Sequence, residues 1–158
     1  MAFGDWLRKA GVSATFTRPN DTTAYASGDL VANSTTAGSV VPMSLGAANG
    51  LLLRSVSVKK SGTGVSNASF RVHFFALTQT VTNGDNGAII PSDGDSYLGS
   101  ADVTVDRVCE DGAVGCGLLA SPLPLAAPGG TVFALLEARG AYTPAAQEVF
   151  VVTLFGGN

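Results

Sequence analysis

Short runs of alternating apolar and polar residues, each closed by a cluster of Gly, Asn, Asp or Pro, recur along this chain. The clearest is 68–77, ASFRVHFFAL, in which Phe70, Val72, Phe74 and Ala76 share one face while Ser69, Arg71 and His73 occupy the other. A period of two is that of a strand with one buried and one wet face. In 51–60, LLLRSVSVKK, the set Leu52, Val56 and Val58 alternates with Ser55, Ser57 and Lys59, and SGTG follows as a turn. The run 101–105, ADVTV, alternates in the same way. Two others are apolar on both faces: 131–138, TVFALLEA, up to Glu137, and 148–155, EVFVVTLF. The latter pattern predicts a central strand or one covered by a partner. Weaker candidates are 14–17, 30–32 and 40–43, the last confined to an edge or a bend by Pro42. No long stretch between breakers keeps the i, i+3, i+4, i+7 spacing of an amphipathic helix. About eight short strands without crossover helices predict an all-β fold, an antiparallel β-sandwich of jelly-roll type.

Two segments read as long loops: 83–97, NGDNGAIIPSDGDSY, and 109–128, CEDGAVGCGLLASPLPLAAP. A chain of 158 residues suits one domain, here expected over 13–158, preceded by a short N-terminal arm over 1–12. The arm carries Phe3, Trp6 and Leu7, large apolar groups outside the strand pattern, beside Arg8 and Lys9. These five are candidate contacts with a neighbouring subunit or shell, with Trp6 the best anchor and the two cations suited to a rim. The other reading is a strap on its own domain.

Charge narrows the partners. With nine Lys and Arg and a net charge of −3, the chain lacks the basic footprint that nucleic-acid binding requires. No apolar run approaches membrane-spanning length. Asp5, Arg8 and Lys9 interrupt the place where a secretory signal needs an apolar core, so synthesis in the cytosol is expected. Charged residues make up 13%, about half the usual ~25% of soluble domains. A surface poor in charge suits a protein packed against neighbours, because interface cores are depleted of charge, and equally an ordinary β-sandwich with Thr-rich and Ser-rich faces.

Candidate chemistry is sparse. The single histidine, His73, has no second His at ligand spacing, and reads as structural. Cys109 and Cys116 could close a small disulfide loop, and two cysteines do not complete a zinc site. Asp85, Asp93 and Asp95 share one segment with Asn83, Asn86 and Ser92, an oxygen-rich set that could suit calcium. The spacing is not that of an EF-hand, and Asp or Asn beside Gly is what plain turns use. Glu137 and Arg139 would point the same way from a strand as an exposed ion pair. No catalytic residue, metal or cofactor is expected, and the protein reads as a non-enzyme.

The order of segments resembles a known family. In 18–34, RPNDTTAYASGDLVANS, the element D-x-x-x-Y-x-x-G-D falls on Asp21, Tyr25, Gly28 and Asp29. LLLRSVSVKKSG at 51–62, FRVHFFAL at 70–77, DNGAIIPSDGDSYLG at 85–99 and VFALLEARGAYTPA at 132–145 follow, before a closing hydrophobic run. Together they resemble the jelly-roll cement (decoration) proteins of tailed-bacteriophage heads. The resemblance implies a structural protein on the outer capsid surface of the virion, made in the host cytoplasm. It also implies clamping of neighbouring major capsid proteins, without catalytic residues. The strands apolar on both faces add the expectation of a homo-oligomer, trimer or dimer. The alternative reading is a virion-attached carbohydrate-binding or host-attachment module. The cysteine-bearing segment departs from the pattern.

Overall fold

The computed structural model describes residues 11–157, in which ten strands form two antiparallel sheets. Sheet A contains, in spatial order, β1 (Val12–Thr17), β10 (Val149–Gly157), β4 (Leu51–Lys60), β8 (Gly112–Leu125) and β7 (Arg107–Cys109). Sheet B contains β2 (Leu30–Val31), β9 (Thr131–Ala138), β5 (Ser69–Phe75) and β6 (Tyr97–Thr104), and β3 (Met43–Gly46) also pairs with β9. The pairs are nested: β5 with β6, β4 with β8, β3 with β9 and β1 with β10, so the chain returns along its own path. The candidate contacts Phe3, Trp6, Leu7, Arg8 and Lys9 lie outside the described residues, and β1 already begins at Val12.

Alternation drives the sandwich. Phe70, Val72 and Phe74 of β5 meet Val132, Ala134 and Leu136 of β9, and opposite them Phe150, Val152 and Leu154 of β10 with Val56 and Val58 of β4. Each of the fully buried Phe, Val and Leu side chains contributes about 1.5–3 kcal/mol. Phe150 stacks on Phe16 at 5.5 Å and meets Phe70 edge-on at 5.4 Å, which ties the last strand to the first and to the opposite sheet. One bulge corrects the expected faces. Against β10 a register shift takes up Arg54, and at the same point β8 leaves residues 119–122 unpaired with β4, so Leu51 and Leu53, rather than Leu52, share the core side with Val56 and Val58. Phe75, next to Phe74 in β5, points by ordinary alternation to the opposite face of sheet B, the face of His73.

That opposite face has its own small core. Leu30, Ala32, Phe75, Val81 and Leu135 are buried there, with Val40, Ile89 and Phe133 packed around them. The irregular stretch between β5 and β6, which includes most of the expected loop 83–97, is closed on itself by the bridge Val81↔Pro91 and folds back over sheet B through the bridge Asp29↔Ala88 and backbone bonds between Leu30 and residues 86–87. Both faces of β9 are therefore covered by the chain itself.

The expected loop 109–128 is instead strand: β7 ends at Cys109, and β8 runs for 14 residues beside β4. Glycines and prolines hid it. A Cβ on Gly115 would fall on the carbonyl oxygen of Thr104, and one on Gly117 on that of Asp102, so β8 crosses against the backbone of β6 where only glycine fits. Pro122 and Pro124 lie where β8 has lost its β7 neighbour and is an edge strand, which tolerates a missing N–H. The sandwich is thus sealed along its β6–β8 side, while on the other side the edges of β1 and β3 face each other across a groove.

Candidate functional site

At one end of the sandwich a buried polar seam joins the segments that the fold leaves irregular. Arg18 follows β1, Tyr25 lies in the loop to β2, and Asp85 lies in the segment between β5 and β6. Asp85 Oδ2 accepts from Arg18 Nη2 at 2.7 Å, and its Oδ1 accepts from the Tyr25 hydroxyl at 2.7 Å and from the Ala32 N–H at 2.8 Å. Arg18 Nε also donates to the Tyr25 oxygen, and its guanidinium carbon stands 4.9 Å from the Tyr25 ring centroid. Tyr25 stacks at 6.5 Å on Tyr142, whose hydroxyl lies 2.7 Å from both oxygens of Glu148. Lys60 Nζ closes the row, donating to Glu148 Oε1 at 3.2 Å and to the Gly62 carbonyl at 2.7 Å.

The seam holds two cations and two carboxylates, all with side chains fully out of solvent, so its charge balances internally. Burial pushes both tyrosine hydroxyls well above their ordinary range, and the adjacent carboxylates, Asp85 and Glu148, push the same way. Both stay protonated and donate. Burial acts against the Arg18 cation, but its bonds to Asp85 and Tyr25 more than offset this, and its pKa ends above the ordinary value. No buried side-chain polar atom among the described residues lacks a partner. Such a cluster locks loops together.

The family-like element is explained by this seam. Tyr25 is a member, and Asp21 reaches Arg18 Nη2 at 3.4 Å from the half-buried rim. Asp29 Oδ2 accepts from the Ala26 N–H at 2.6 Å, while Gly28 takes a φ of +99° in the same turn. Asp85, grouped by sequence with Asp93 and Asp95, is thus an ion-pair anchor. Asp93 accepts the Asp95 N–H at 3.0 Å in a local turn. Among the described residues no three His, Cys, Asp or Glu side chains converge as a metal cluster.

His73 has company that sequence spacing did not reveal. On the uncovered part of the outer face of sheet B, its Nε2 lies 2.6 Å from Glu137 Oε2 and its Nδ1 3.1 Å from the Tyr97 hydroxyl. Arg139 Nη1 donates to Glu137 Oε1 at 2.8 Å, so the expected ion pair exists, but Glu137 is buried. Burial pushes the Glu137 carboxyl up, yet hydrogen bonds from His73 and Arg139 outweigh it and hold the group below the usual carboxylate range. Beside them Arg71 grips Asp102 with two bonds of 2.6 and 2.8 Å, which lowers the Asp102 pKa.

Both cysteines are free and exposed. Cys109 pairs with Gly112 at the tip of the β7–β8 hairpin, and Cys116 lies four residues further up β8. That offset is about 13 Å of strand, beyond the reach of a disulfide, so the candidate loop closure is not formed. Cys116 lies instead on the outer face of sheet A. Cross-strand rows there are Ser13–Thr153–Ser57–Cys116, Thr15–Val151–Lys59–Val114 and Phe155–Ser55–Leu118. Leu118 is 85% exposed and Phe155 39%; the charged side chains in these rows are Lys59, paired with Asp111, and the exposed Arg107 of β7 opposite Val114. No other part of the described chain lies over this face as the β5–β6 segment lies over sheet B.

Comparison with known proteins returned no similarity: no family model matches the chain, and no curated protein or solved structure matches it either.

Proposed function

We propose that the protein is a jelly-roll decoration protein, which binds the outer surface of a tailed-phage head and bridges neighbouring major capsid proteins. The jelly-roll reading is supported by the nested pairs β1–β10, β3–β9, β4–β8 and β5–β6, the wiring produced when one long hairpin is rolled into two sheets. Fold alone assigns no function. The observation that carries the assembly reading is the outer face of sheet A, whose rows are mostly uncharged and hold the exposed side chains of Leu118 and Phe155.

Size decides how such a face would work. Four strands about 4.8 Å apart over roughly 20 Å of length give about 400 Å². A stable interface needs about 800 Å² per partner, so one face is half of a contact. As a homo-oligomer, dimer or trimer, the protein would present several faces to a capsid lattice at once, and avidity would multiply them. Heads lacking the protein, mixed with it and sedimented, test the reading. The wild type is expected in the pellet at saturable stoichiometry, and Leu118→Asp largely in the supernatant. A wild type that stays in the supernatant would sink the reading.

The host-attachment alternative is favoured by one observation: Tyr97 is 44% exposed beside His73 and the Arg71–Asp102 pair, an aromatic platform with fixed polar neighbours. Binding to immobilised host-surface glycans that Tyr97→Ala abolishes, together with no binding to heads, would select it.

A further inference from the structure

β1 is an edge strand with none of the usual guards. Its sequence, VSATFT, contains no charge and no proline, and it is paired only on its β10 side. The Arg18 N–H bonds the Glu148 carbonyl at 3.0 Å, which fixes the phase of the ladder. Alternation from that pair directs the backbone groups of Phe16, Ala14 and Val12 toward β10. Those of Thr17, Thr15 and Ser13 point the other way, and have no backbone partner among the described residues.

These outward groups open onto the groove between β1 and β3, of about 400 Å³. Its walls are uncharged: Thr15, Phe16 and Thr17 on one side, Val41, Pro42 and Met43 on the other. Val41 is 68% exposed at the rim, and it is held there because the Asn33 side chain accepts its N–H at 2.8 Å while donating to the Ser39 carbonyl at 3.1 Å. The sandwich thus offers, side by side, a row of unpaired strand donors and acceptors and an apolar trough for side chains.

We propose that the free edge of β1 takes up an extended segment of a protein partner as an added strand of sheet A. The segment is uncharged, as its walls are, with apolar residues at alternate positions that drop into the groove against Phe16, Val41 and Pro42. Strand addition supplies affinity through the main chain and selectivity through the alternate side chains. A second copy's β1 could pair edge to edge but would leave the groove unfilled, because its alternate side chains face its own core. The inference rests on the assembly reading, and adds to the half-sized face of sheet A the second contact that reading requires.

The test uses the full chain, heads lacking it, and two variants. Thr15→Pro removes an N–H that the described fold does not use, and Val41→Asp puts a charge on the groove rim, so both should melt like the wild type. Each is expected to weaken head binding at least about tenfold, through a lost ladder bond or a buried charge. Amide exchange at Thr15 and Thr17 should be fast in the free protein and slow when head-bound. If the wild type binds heads and both variants bind as tightly, strand addition is overturned and the assembly reading stands. If the wild type does not bind, both fall. Slow exchange at Thr15 and Thr17 in the free chain that becomes fast on deletion of residues 2–10 would assign the groove to the chain's own N-terminal segment and overturn a partner strand.

Discussion

Replacing Arg18 by Met would remove the cation from a carboxylate that has no other charged neighbour at bonding distance. Asp85 is fully buried, and without Arg18 Nη2 at 2.7 Å it keeps only two neutral donors, the Tyr25 hydroxyl and the Ala32 N–H. Breaking a buried pair on one side costs about 3–5 kcal/mol, because the remaining charge stays desolvated. For a domain of this size that lowers Tm by roughly 6–20 °C. The geometry also dictates a rescue. Both neutral donors bond the same oxygen, Oδ1, so Asp85→Asn keeps those two bonds while removing the stranded charge. The double variant Arg18→Met with Asp85→Asn should therefore be more stable than Arg18→Met alone, with a coupling of about 1–3 kcal/mol. Urea denaturation followed by far-UV circular dichroism on the wild type, two single variants and the double variant closes the cycle. Should Arg18→Met cost less than about 1 kcal/mol, or the double variant be no more stable than it, the seam is not an ionic lock.

Gly115→Ala should cost more than about 2 kcal/mol, or prevent folding, because its methyl meets the Thr104 carbonyl, whereas Gly64→Ala, with nothing nearby, should be neutral within about 0.5 kcal/mol; equal melting temperatures would contradict the β6–β8 packing. Ellman's reagent should titrate two thiols in the native, unreduced protein, and none would mean a disulfide that the hairpin register does not allow. Glu137 and Asp102 are depressed in the folded state, so their contribution is present above the unfolded carboxylate range near pH 4 and lost as pH falls through the folded values. Tm should accordingly drop on acidification below about pH 4, and Glu137→Gln should flatten part of that drop; an acid limb unchanged by the substitution would remove Glu137 from it.

Strands that bury one face and wet the other were legible, because period two is a direct imprint of the pleat. The inward set Phe70, Val72 and Phe74 is as read, and β9 spans 131–138 as expected. The long strand β8 was not legible. Its glycines and prolines spell a loop in any local window, and they are there for a non-local reason, the carbonyls of β6 lying under Gly115 and Gly117. A bulge has the same effect on faces: one extra residue at Arg54 relative to β10 exchanged Leu52 for Leu51 and Leu53, and no alternation rule places it in advance.

The buried seam was half legible. Lys60 shares the parity of Val56 and Val58, so the strand pattern itself puts a lysine into the core and demands a counter-charge, but only the tertiary fold names Glu148. Asp85 carried the opposite ambiguity, since an aspartate beside glycine and asparagine looks like a turn whether or not an arginine reaches it from 67 positions away. Strands apolar on both faces pose the same problem at larger scale. The pattern states that something covers the second face without saying whose. For β9 the cover is internal, supplied by Leu30, Val81 and Ile89, and that strand carries no argument for a partner. For β10 the outer residues Val149, Val151 and Phe155 stay half-buried or exposed beside Leu118, with no such cover among the described residues. The case for assembly therefore rests on sheet A alone, where β10, unlike β9, keeps its second apolar face open.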